Sequence, residues 1–184
     1  MLVRSDKTKF YHFYPNNVCV VVSSFGGKIN AMPVVWSIGI SFNPRYFAVL
    51  ISKKRYTYEI VSKSKKFTAN FLDWRYVDLV NKLGSCSGRE VDKIKEFQIK
   101  LIDGSSEGFY VMLDAYVSYE CNVIKDEEVG DHNLIVGEVI NVWYNPELFD
   151  SEEKPNLEKV SPIFYLGGGE FVKLGLIERF KEED

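Results

Sequence analysis

Residues 108–125 carry the most regular pattern in the chain, a long alternation of apolar and polar side chains. The positions that would share one face are Val111, Leu113, Ala115, Val117, Tyr119, Cys121 and Val123. Because successive side chains of a strand point to opposite faces, this period of two predicts a long strand. Residues 132–144 form a second apolar run, and we interpret the acidic segment 126–131 between them as a loop. The two runs predict an antiparallel pair in a closed or nearly closed barrel.

Shorter runs complete a β-rich outline. Residues 18–23 and 28–40 predict two strands around a glycine turn, and the runs 46–51, 67–72 and 163–166 predict three more. Pro33 lies inside the second run, and proline cannot donate to a ladder. We therefore expect that strand to be bent there, to lie at an edge, or to be interrupted where a ligand approaches. Short helices are predicted over 56–61, 91–97 and 74–83, the last with Asp73 as its cap and ending at Gly84.

The size of the chain favours one domain spanning residues 1–184. With 184 residues and 46% hydrophobic content, the chain can bury one sizeable core and is short for two. Aromatic residues make up 15% of it, and these favour half-buried pleated surfaces. The fold class we predict is mainly β, with a few short helices.

Charge and cysteine content exclude several classes of partner. The formal net charge of -3 provides no field that would attract nucleic acid or an anionic membrane surface. Cys19, Cys86 and Cys121 are odd in number and widely spaced, which fits neither a disulfide framework nor a metal site. No signal sequence opens the chain, and no apolar run is long enough to span a membrane. We expect a cytoplasmic protein without a metal centre.

The side chains that could carry catalysis unaided are few. Only two histidines are present, and neither a Ser-His-Asp nor a Cys-His arrangement occurs at usable spacing. The glycine patterns of Rossmann and P-loop nucleotide sites are also absent from the sequence. We therefore expect a cofactor to supply the chemistry. Hydride transfer through a flavin fits this, because the flavin ring itself takes up and releases the hydride.

A basic segment offers a candidate phosphate site. Between residues 52 and 66, six cations face a single anion, Glu59. Such a run can also be no more than a solvated face. Ser52, Arg55 and Thr57 follow the third predicted strand, where hydroxyls, a guanidinium and a helix N-terminus could converge on a phosphate. Ser37 and Ser41 follow the strand that contains Pro33 and are further candidates.

The order of several short motifs resembles the flavin reductase-like FMN-binding split barrels, a family that includes flavoredoxins, ferric reductases and the reductase components of two-component monooxygenases. The resemblance extends from about Tyr14 to Leu174. Its pieces, each weak alone, are Tyr14-Pro15, Asn30-Ala31, Trp36-Ser37, residues 41–44, Arg55-x-Thr57, residues 67–70, residues 87–89 with Asp92-Lys93, Gly130-Asp131-His132 and residues 136–139.

This resemblance implies a Greek-key antiparallel split barrel and a set of site residues. Flavin-binding roles would fall on Asn30, Trp36, Ser37, Ser41, Ser52, Arg55, Thr57, Asn70 and Ser87. Among these, Arg55 and Thr57 would hold the phosphate, and Asn70 would meet the ring or the ribityl chain. His132 would dock the nicotinamide. The plainer interpretation of His132 is a histidine at a strand start that its neighbouring backbone satisfies, and that of Cys86 is a small loop residue rather than a redox thiol.

The resemblance also implies non-covalent FMN, with NADH or NADPH as co-substrate, and a homodimer with the flavin near the subunit boundary. A monooxygenase or another electron acceptor would then be the downstream partner. Two alternatives stay open. One is an FMN electron carrier that the nicotinamide nucleotides do not reduce efficiently. The other is a barrel that lacks flavin and serves as a dimeric binding module.

Overall fold

The computed structural model describes Arg4 and residues 11–175. In chain order its strands are β1 (Asn16–Asn17), β2 (Cys19–Phe25), β3 (Lys28–Val34), β4 (Ser37–Phe42), β5 (Arg45–Ile51), β6 (Lys66–Leu72), β7 (Leu101–Asp103), β8 (Tyr110–Met112), β9 (Ala115–Val129), β10 (His132–Tyr144), β11 (Ile163–Gly167) and β12 (Glu170–Lys173). The helices are α1 (Tyr56–Ser64), α2 (Val77–Ser85) and α3 (Lys93–Glu96), with 3-10 turns at Trp74–Tyr76 and Pro146–Leu148.

A seven-stranded antiparallel sheet dominates the architecture, with strand order β3-β2-β6-β9-β10-β5-β4. Side chains from both halves of this sheet meet in a single buried cluster. Val34 of β3 and Val49 of β5 lie in it together with Phe67 and Ile135 from the central strands. Because residues from both ends of the sheet share one interior, the sheet curls into a barrel. The prediction of a mainly β, antiparallel barrel with few helices is confirmed.

A second core covers the outer face of the same strands. Val20 and Ala31 point outward from β2 and β3 and pack against Val80 and Leu83 of α2, with Met112 from β8. The central strands are therefore buried on both faces. This double burial explains why residues 18–22 form a continuous apolar run instead of alternating.

Several predicted boundaries were wrong, and each error has a physical cause. The acidic segment 126–131 is mostly strand, because β9 runs on to Val129, which pairs with His132 across a turn of Gly130 and Asp131. Gly130 has φ 63°, the left-handed conformation that such a tight turn requires. The charged side chains suggested a loop because this end of the ribbon extends beyond the core and is exposed.

Two long predicted elements are interrupted and one helix is shifted. The run 28–40 divides into β3 and β4 at residues 35 and 36, and the run 108–125 divides into β8 and β9 at residues 113 and 114. Asp73 does cap a helical segment, since its carboxylate accepts from the Arg75 amide, but that segment opens as a 3-10 turn. Helix α2 then continues through Gly84 to Ser85.

Pro33 lies in β3, an edge strand of the large sheet. An edge position was one of the three alternatives expected for the strand that contains this proline. Its neighbour in the sheet is β2, where Val20 is its register partner. The strand also ends immediately after it, at Val34, beside a cavity of about 610 Å³. Within the described part of the chain, none of the helices has the length and apolar character needed to cross a membrane.

Candidate functional site

A cleft of about 610 Å³ opens where the ends of β3 and β5 meet the start of α1 and the segment after α2. A volume in this range is typical of sites for small molecules and cofactors. The interruption between β3 and β4 contributes to it, because the freed residues Val35 and Trp36 line its wall. Residues 83–90 form the opposite side, and His132 at the start of β10 completes it.

One end of the cleft is built around the N-terminus of α1. Arg55 occupies the N-cap position in an extended conformation and provides no side-chain cap to the helix. The amides of Tyr58 and Glu59 donate to the Arg55 carbonyl, so those of Tyr56 and Thr57 remain available to a ligand. The helix dipole favours an anion there. Ser52 and Thr57 line the same end, so that two hydroxyls and a guanidinium surround the helix start. This combination of donors is suited to a phosphate.

Asn30 and Gly88 hold this end of the cleft together. The Asn30 Nδ2 atom donates to Thr57 Oγ1 over 2.8 Å, and both side chains are buried. Gly88 lies directly against them. A Cβ atom at position 88 would come within 2.8 Å of the Asn30 Cγ atom and within 2.8 Å of the Tyr56 ring. Position 88 therefore requires glycine for close approach, and the segment that contains Ser87 packs tightly onto the start of α1.

Lys93 is a site residue that the sequence analysis did not assign. It opens α3, lines the cleft, and is only 3% exposed. Its Nζ atom donates to the backbone carbonyls of Leu83 at 2.6 Å and Ala31 at 3.2 Å. Burial lowers the pKa of Lys93. The neighbouring Cys86 opposes this by raising the pKa, and the positive charge of Arg55 lowers it further. The only signal for it was its place after Asp92 in the quoted motif, because a lysine in a mixed segment is ordinarily exposed.

The other end of the cleft is aromatic. The Trp36 Nε1 atom donates to Tyr14 Oη over 2.9 Å, and the centroids of the Trp36 and His132 rings are 4.8 Å apart. Tyr165 lies near Tyr14, with 6.3 Å between their ring centroids. Burial raises the pKa of Tyr14, which keeps its phenol protonated. Flat, apolar walls of this kind suit a planar ring system.

His132 is held by its neighbour in the chain. Its Nδ1 atom lies 2.7 Å from Asp131 Oδ1, and this hydrogen bond holds the pKa of the Asp131 carboxyl below its usual range. A carboxylate at Nδ1 fixes the orientation of an imidazole ring. The side chain of His132 is 25% exposed, so it remains accessible from the cleft. The structure thus places an oriented histidine against Trp36 at the aromatic end.

The structure brings most of the predicted site residues together. Those that line the cleft are Asn30, Trp36, Ser52, Arg55, Thr57, Ser87 and His132. Three others, Ser37, Ser41 and Asn70, lie elsewhere. Ser37 acts on the thiol of Cys19, a residue of the barrel interior, where it lowers the thiol pKa against the larger raising effect of burial.

Ser41 and Asn70 are displaced from the cleft for different reasons. Ser41 follows a register shift in β4 and lines a separate cavity of about 280 Å³. Asn70 is fully buried in β6, where Nδ2 donates to Val20 O and Oδ1 accepts from the Met112 amide and from Ser118 Oγ. Its amide is occupied by the protein itself. The structure therefore corrects the expectation that Asn70 lies against the flavin, and gives it a structural role between strands.

The cleft has an excess of positive charge. The cations that line it are Lys54, Arg55, Arg89 and Lys93, and the carboxylate that lines it is Glu90. Arg89 is partly engaged already, since it lies 3.5 Å from Glu59 and over the Tyr56 ring. In the described part of the chain, no cluster of three or more histidine, cysteine or acidic side chains is suited to a metal ion. The electrostatics favour an anionic organic ligand.

Comparisons with known proteins agree with this geometry. The family model for the flavin reductase like domain matches residues 10–169. An uncharacterized protein of Aeropyrum pernix is 33% identical over 155 residues, which is 84% of this chain and 58% of that protein. The chain therefore spans less than two thirds of that relative.

Solved structures share the fold over nearly the whole chain. An FMN-binding protein from Thermus thermophilus, solved with bound 1-cyclohex-2-enone, is 34% identical with a TM-score of 0.86, covering 99% of this chain and 98% of that one. Flavoredoxin from Methanosarcina acetivorans superposes with a TM-score of 0.87 at 23% identity, covering 98% and 95%. At 23% identity, the similarity to flavoredoxin shows a shared fold. The expected split-barrel architecture is confirmed by these similarities.

Proposed function

Because the chain belongs to the flavin reductase-like domain family, we propose that it binds FMN non-covalently in the cleft and serves as an NAD(P)H-dependent flavin reductase. The observation that carries the proposal is the division of one cleft into a cationic end and an aromatic end. The first suits a phosphate and the second suits a flat ring with a second planar molecule beside it. The Thermus thermophilus relative, which is FMN-binding, supports the choice of flavin.

The residues present fit the phosphate of FMN. A dianion needs several donors, and the N-terminus of α1 offers backbone amides together with Ser52, Arg55 and Thr57. Buried Lys93 adds a positive charge that has no carboxylate partner among the described residues. Bound FMN would supply a ring that accepts and releases hydride, which the side chains of this protein cannot do.

The protein's own residues bind the phosphate, orient the nicotinamide and shield the cleft from water. Arg55 neutralises the phosphate, and the Asn30–Thr57 hydrogen bond fixes the position of the threonine hydroxyl. Trp36 and Tyr14 form a connected aromatic wall that excludes water from one side of the cleft. His132, oriented by Asp131, stands at that wall, where its Nε2 atom can accept a hydrogen bond from the N–H₂ group of the nicotinamide carboxamide and hold it in place.

The visible spectrum of the FMN-loaded protein tests the proposal. We expect a yellow protein that bleaches rapidly under anaerobic conditions when NADH or NADPH is added. Free FMN mixed with the same nucleotide provides the background rate. Retention of flavin without faster bleaching by either nucleotide refutes the reductase activity and identifies the electron carrier instead. Failure to retain FMN at all refutes flavin binding and favours a non-catalytic barrel.

We also propose that two copies of the chain associate through β4. This strand is an edge of the large sheet and exposes apolar side chains to solvent, with Phe42 99% exposed and Ile38 60% exposed. Val142 of β10 lines the same cavity as Phe42 and is also exposed. Exposed apolar patches and unpaired edges typically mark interfaces. A molar mass in solution equal to that of one chain would contradict this.

A cytoplasmic location is part of the same proposal. The three cysteines are all free thiols, and two of them, Cys19 and Cys121, are buried in the barrel interior. Burial raises the pKa of both thiols, so they stay protonated and unreactive. Free thiols are typical of a reducing compartment.

A further inference from the structure

The turn that carries His132 lies at the weakly supported end of a two-stranded ribbon. Strand β9 pairs with β6 from Ala115 to Asn122, and β10 pairs with β5 from Asn133 onward. Beyond Asn122, β9 has β10 on one side and no strand of the described residues on the other. A two-stranded ribbon by itself is only marginally stable in water. Contacts from outside the sheet must therefore hold residues 124–132, which we call the ribbon tip.

Helix α1 supplies such contacts through Tyr58. The Tyr58 hydroxyl accepts from Asn133 Nδ2 over 3.1 Å and donates to the Asp126 carboxylate, whose two oxygens are 3.3 Å and 3.4 Å away. Asn133 Nδ2 also donates to Asp126 Oδ1 over 2.7 Å. Burial raises the pKa of Tyr58, so the hydroxyl keeps the proton that it donates. The three side chains thus form a triangle of hydrogen bonds between α1, β9 and β10, which we call the Tyr58 cluster.

Burial makes the Tyr58 cluster a strong constraint. Asn133 is 4% exposed, and its Oδ1 atom has no hydrogen-bond partner among the described residues, so the cluster supplies the side-chain hydrogen bonds of this amide. The Tyr58 ring packs against the barrel interior. A buried amide that loses its acceptors is costly, so the ribbon tip cannot leave α1 freely. Lys53, just before α1, adds an ion pair with Glu128, but both side chains are exposed and such pairs contribute little.

The residues next to the Tyr58 cluster face the cleft. Thr57 precedes Tyr58 on α1 and lines the cationic end, and His132 precedes Asn133 on β10 and lines the aromatic end. Because successive side chains of a strand point to opposite faces, Asn133 turns to the cluster where His132 turns to the cleft. The cluster therefore joins the helix start that suits a phosphate to the strand start that carries the histidine.

We propose that the Tyr58 cluster positions His132 for the nicotinamide by fixing the ribbon tip to helix α1. This inference rests on the proposed flavin reductase activity. The cationic end of the cleft determines where the flavin lies, and His132 determines where the nicotinamide lies. A fixed separation between the two therefore sets the approach of the hydride donor to the flavin ring. Tyr58, Asp126 and Asn133 do not line the cleft themselves, so they are positioning residues.

Tyr58→Phe tests the proposal, because it removes the hydroxyl and keeps the ring that packs against the barrel interior. We expect flavin reduction at subsaturating NADH or NADPH to slow by about threefold to tenfold in anaerobic stopped-flow traces, the scale of one hydrogen bond. FMN affinity and the limiting rate at saturating nucleotide should stay near wild type. Tyr76→Phe is the matched control, since Tyr76 is also half-buried and its hydroxyl also donates to an aspartate, Asp114. A Tyr58→Phe variant that reacts like wild type, or that loses only FMN affinity, overturns the proposal.

A double-mutant cycle with His132→Ala separates positioning from a general weakening of the fold. If Tyr58 acts through His132, Tyr58→Phe should slow reduction no further once the imidazole is gone. The same slowing in both backgrounds would show that the two residues act independently, and would overturn the proposal. If Tyr58→Phe does not fold, Asp126→Ala carries the test, because it removes the acceptor that Tyr58 and Asn133 share and lies at a half-exposed position.

Hydrogen exchange of the flavin-free protein provides a readout that does not depend on activity. We expect the amides of the ribbon tip to exchange about threefold to tenfold faster in Tyr58→Phe than in wild type or Tyr76→Phe. Equal exchange in the three proteins would overturn the role of the cluster. A wild-type protein that neither nucleotide reduces is a different failure, since it removes the proposed function on which this inference rests.

Discussion

Replacing Gly88 by alanine is expected to damage the cleft without touching any residue proposed to bind phosphate. The added methyl carbon would come within 2.8 Å of both the Asn30 side chain and the Tyr56 ring, and Asn30 Oδ1 lies closer still. Real Cβ contacts essentially never approach so closely. Because Asn30 is 3% exposed, its amide has little room to retreat. The methyl group must therefore displace Asn30 or lift the 85–89 segment.

The size of the effect follows from the hydrogen bond at stake. Moving Asn30 breaks its 2.8 Å bond to Thr57 and leaves a buried donor unsatisfied, which costs about 1–3 kcal/mol. In a chain of this length, each 1 kcal/mol lowers the melting temperature by about 2–4 °C. We thus expect Gly88→Ala to melt about 2–12 °C below wild type. FMN binding should weaken as well, because Thr57 loses the partner that positions it.

Thermal denaturation followed by circular dichroism, together with FMN titration, provides the measurement. Gly175→Ala is the control, because a Cβ atom at Gly175 meets nothing within 4 Å. The double variant with Asn30→Ala is the sharper comparison. Once the Asn30 side chain is removed, alanine at 88 loses its main clash, so the two changes should be strongly non-additive. Additive losses of stability, or an unchanged melting temperature in Gly88→Ala, would falsify this account of position 88.

Three further outcomes are expected. Arg55→Ala should weaken FMN binding by about 1.5–3 kcal/mol, the scale of a charge-assisted hydrogen bond. Lys53→Ala, which removes a neighbouring cation paired with Glu128, should leave FMN binding unchanged. Equal FMN affinity of the two variants in a titration would remove Arg55 from the site. His132→Ala should slow flavin reduction by NADH or NADPH in anaerobic stopped-flow traces and leave FMN retention largely intact, so unchanged rates contradict its docking role. Phe42→Asp should convert the proposed dimer to monomers in light scattering, because the exposed ring would be replaced by a charge; persistence of a dimer excludes that surface.

The sequence predicted the strands and the cationic end of the cleft well because both depend on local patterns. Period-two alternation and β-branched runs located the strands, and the register of β9 with β10 agrees with the antiparallel pair expected there. Ser52, Arg55 and Thr57 lie within six residues of one another, around a single strand-to-helix turn. A site built on one turn is visible in sequence.

The remainder depended on long-range packing that sequence patterns do not encode. Asn70 and Lys93 illustrate the two directions of error. Asn70 had the residue type of a ligand contact, but β6 lies in the middle of the sheet and its amide bonds to three neighbouring segments. Lysine is a residue type usually found on the exposed face of a helix, yet α3 packs Lys93 inward between β3 and α2.

Ser41 shows the effect of one irregularity in a strand. It lies on β4, where the register with β5 shifts between Gly39 and Ser41. A shift of one residue sends later side chains to the opposite face of a sheet. Sequence spacing alone could not show this bulge.

The two margins of the large sheet differ in a way that limits how the chain can polymerise. At the β3 margin, Pro33 has no amide hydrogen to offer, and Gly84 of α2 lies against its ring, so an incoming strand finds that side obstructed. Among residues 11–175, nothing comparable obstructs the β4 margin. If two copies pair through β4 as proposed, the dimer has no free β4 edge left. Growth into fibres needs two free edges per unit and would therefore stop at the dimer.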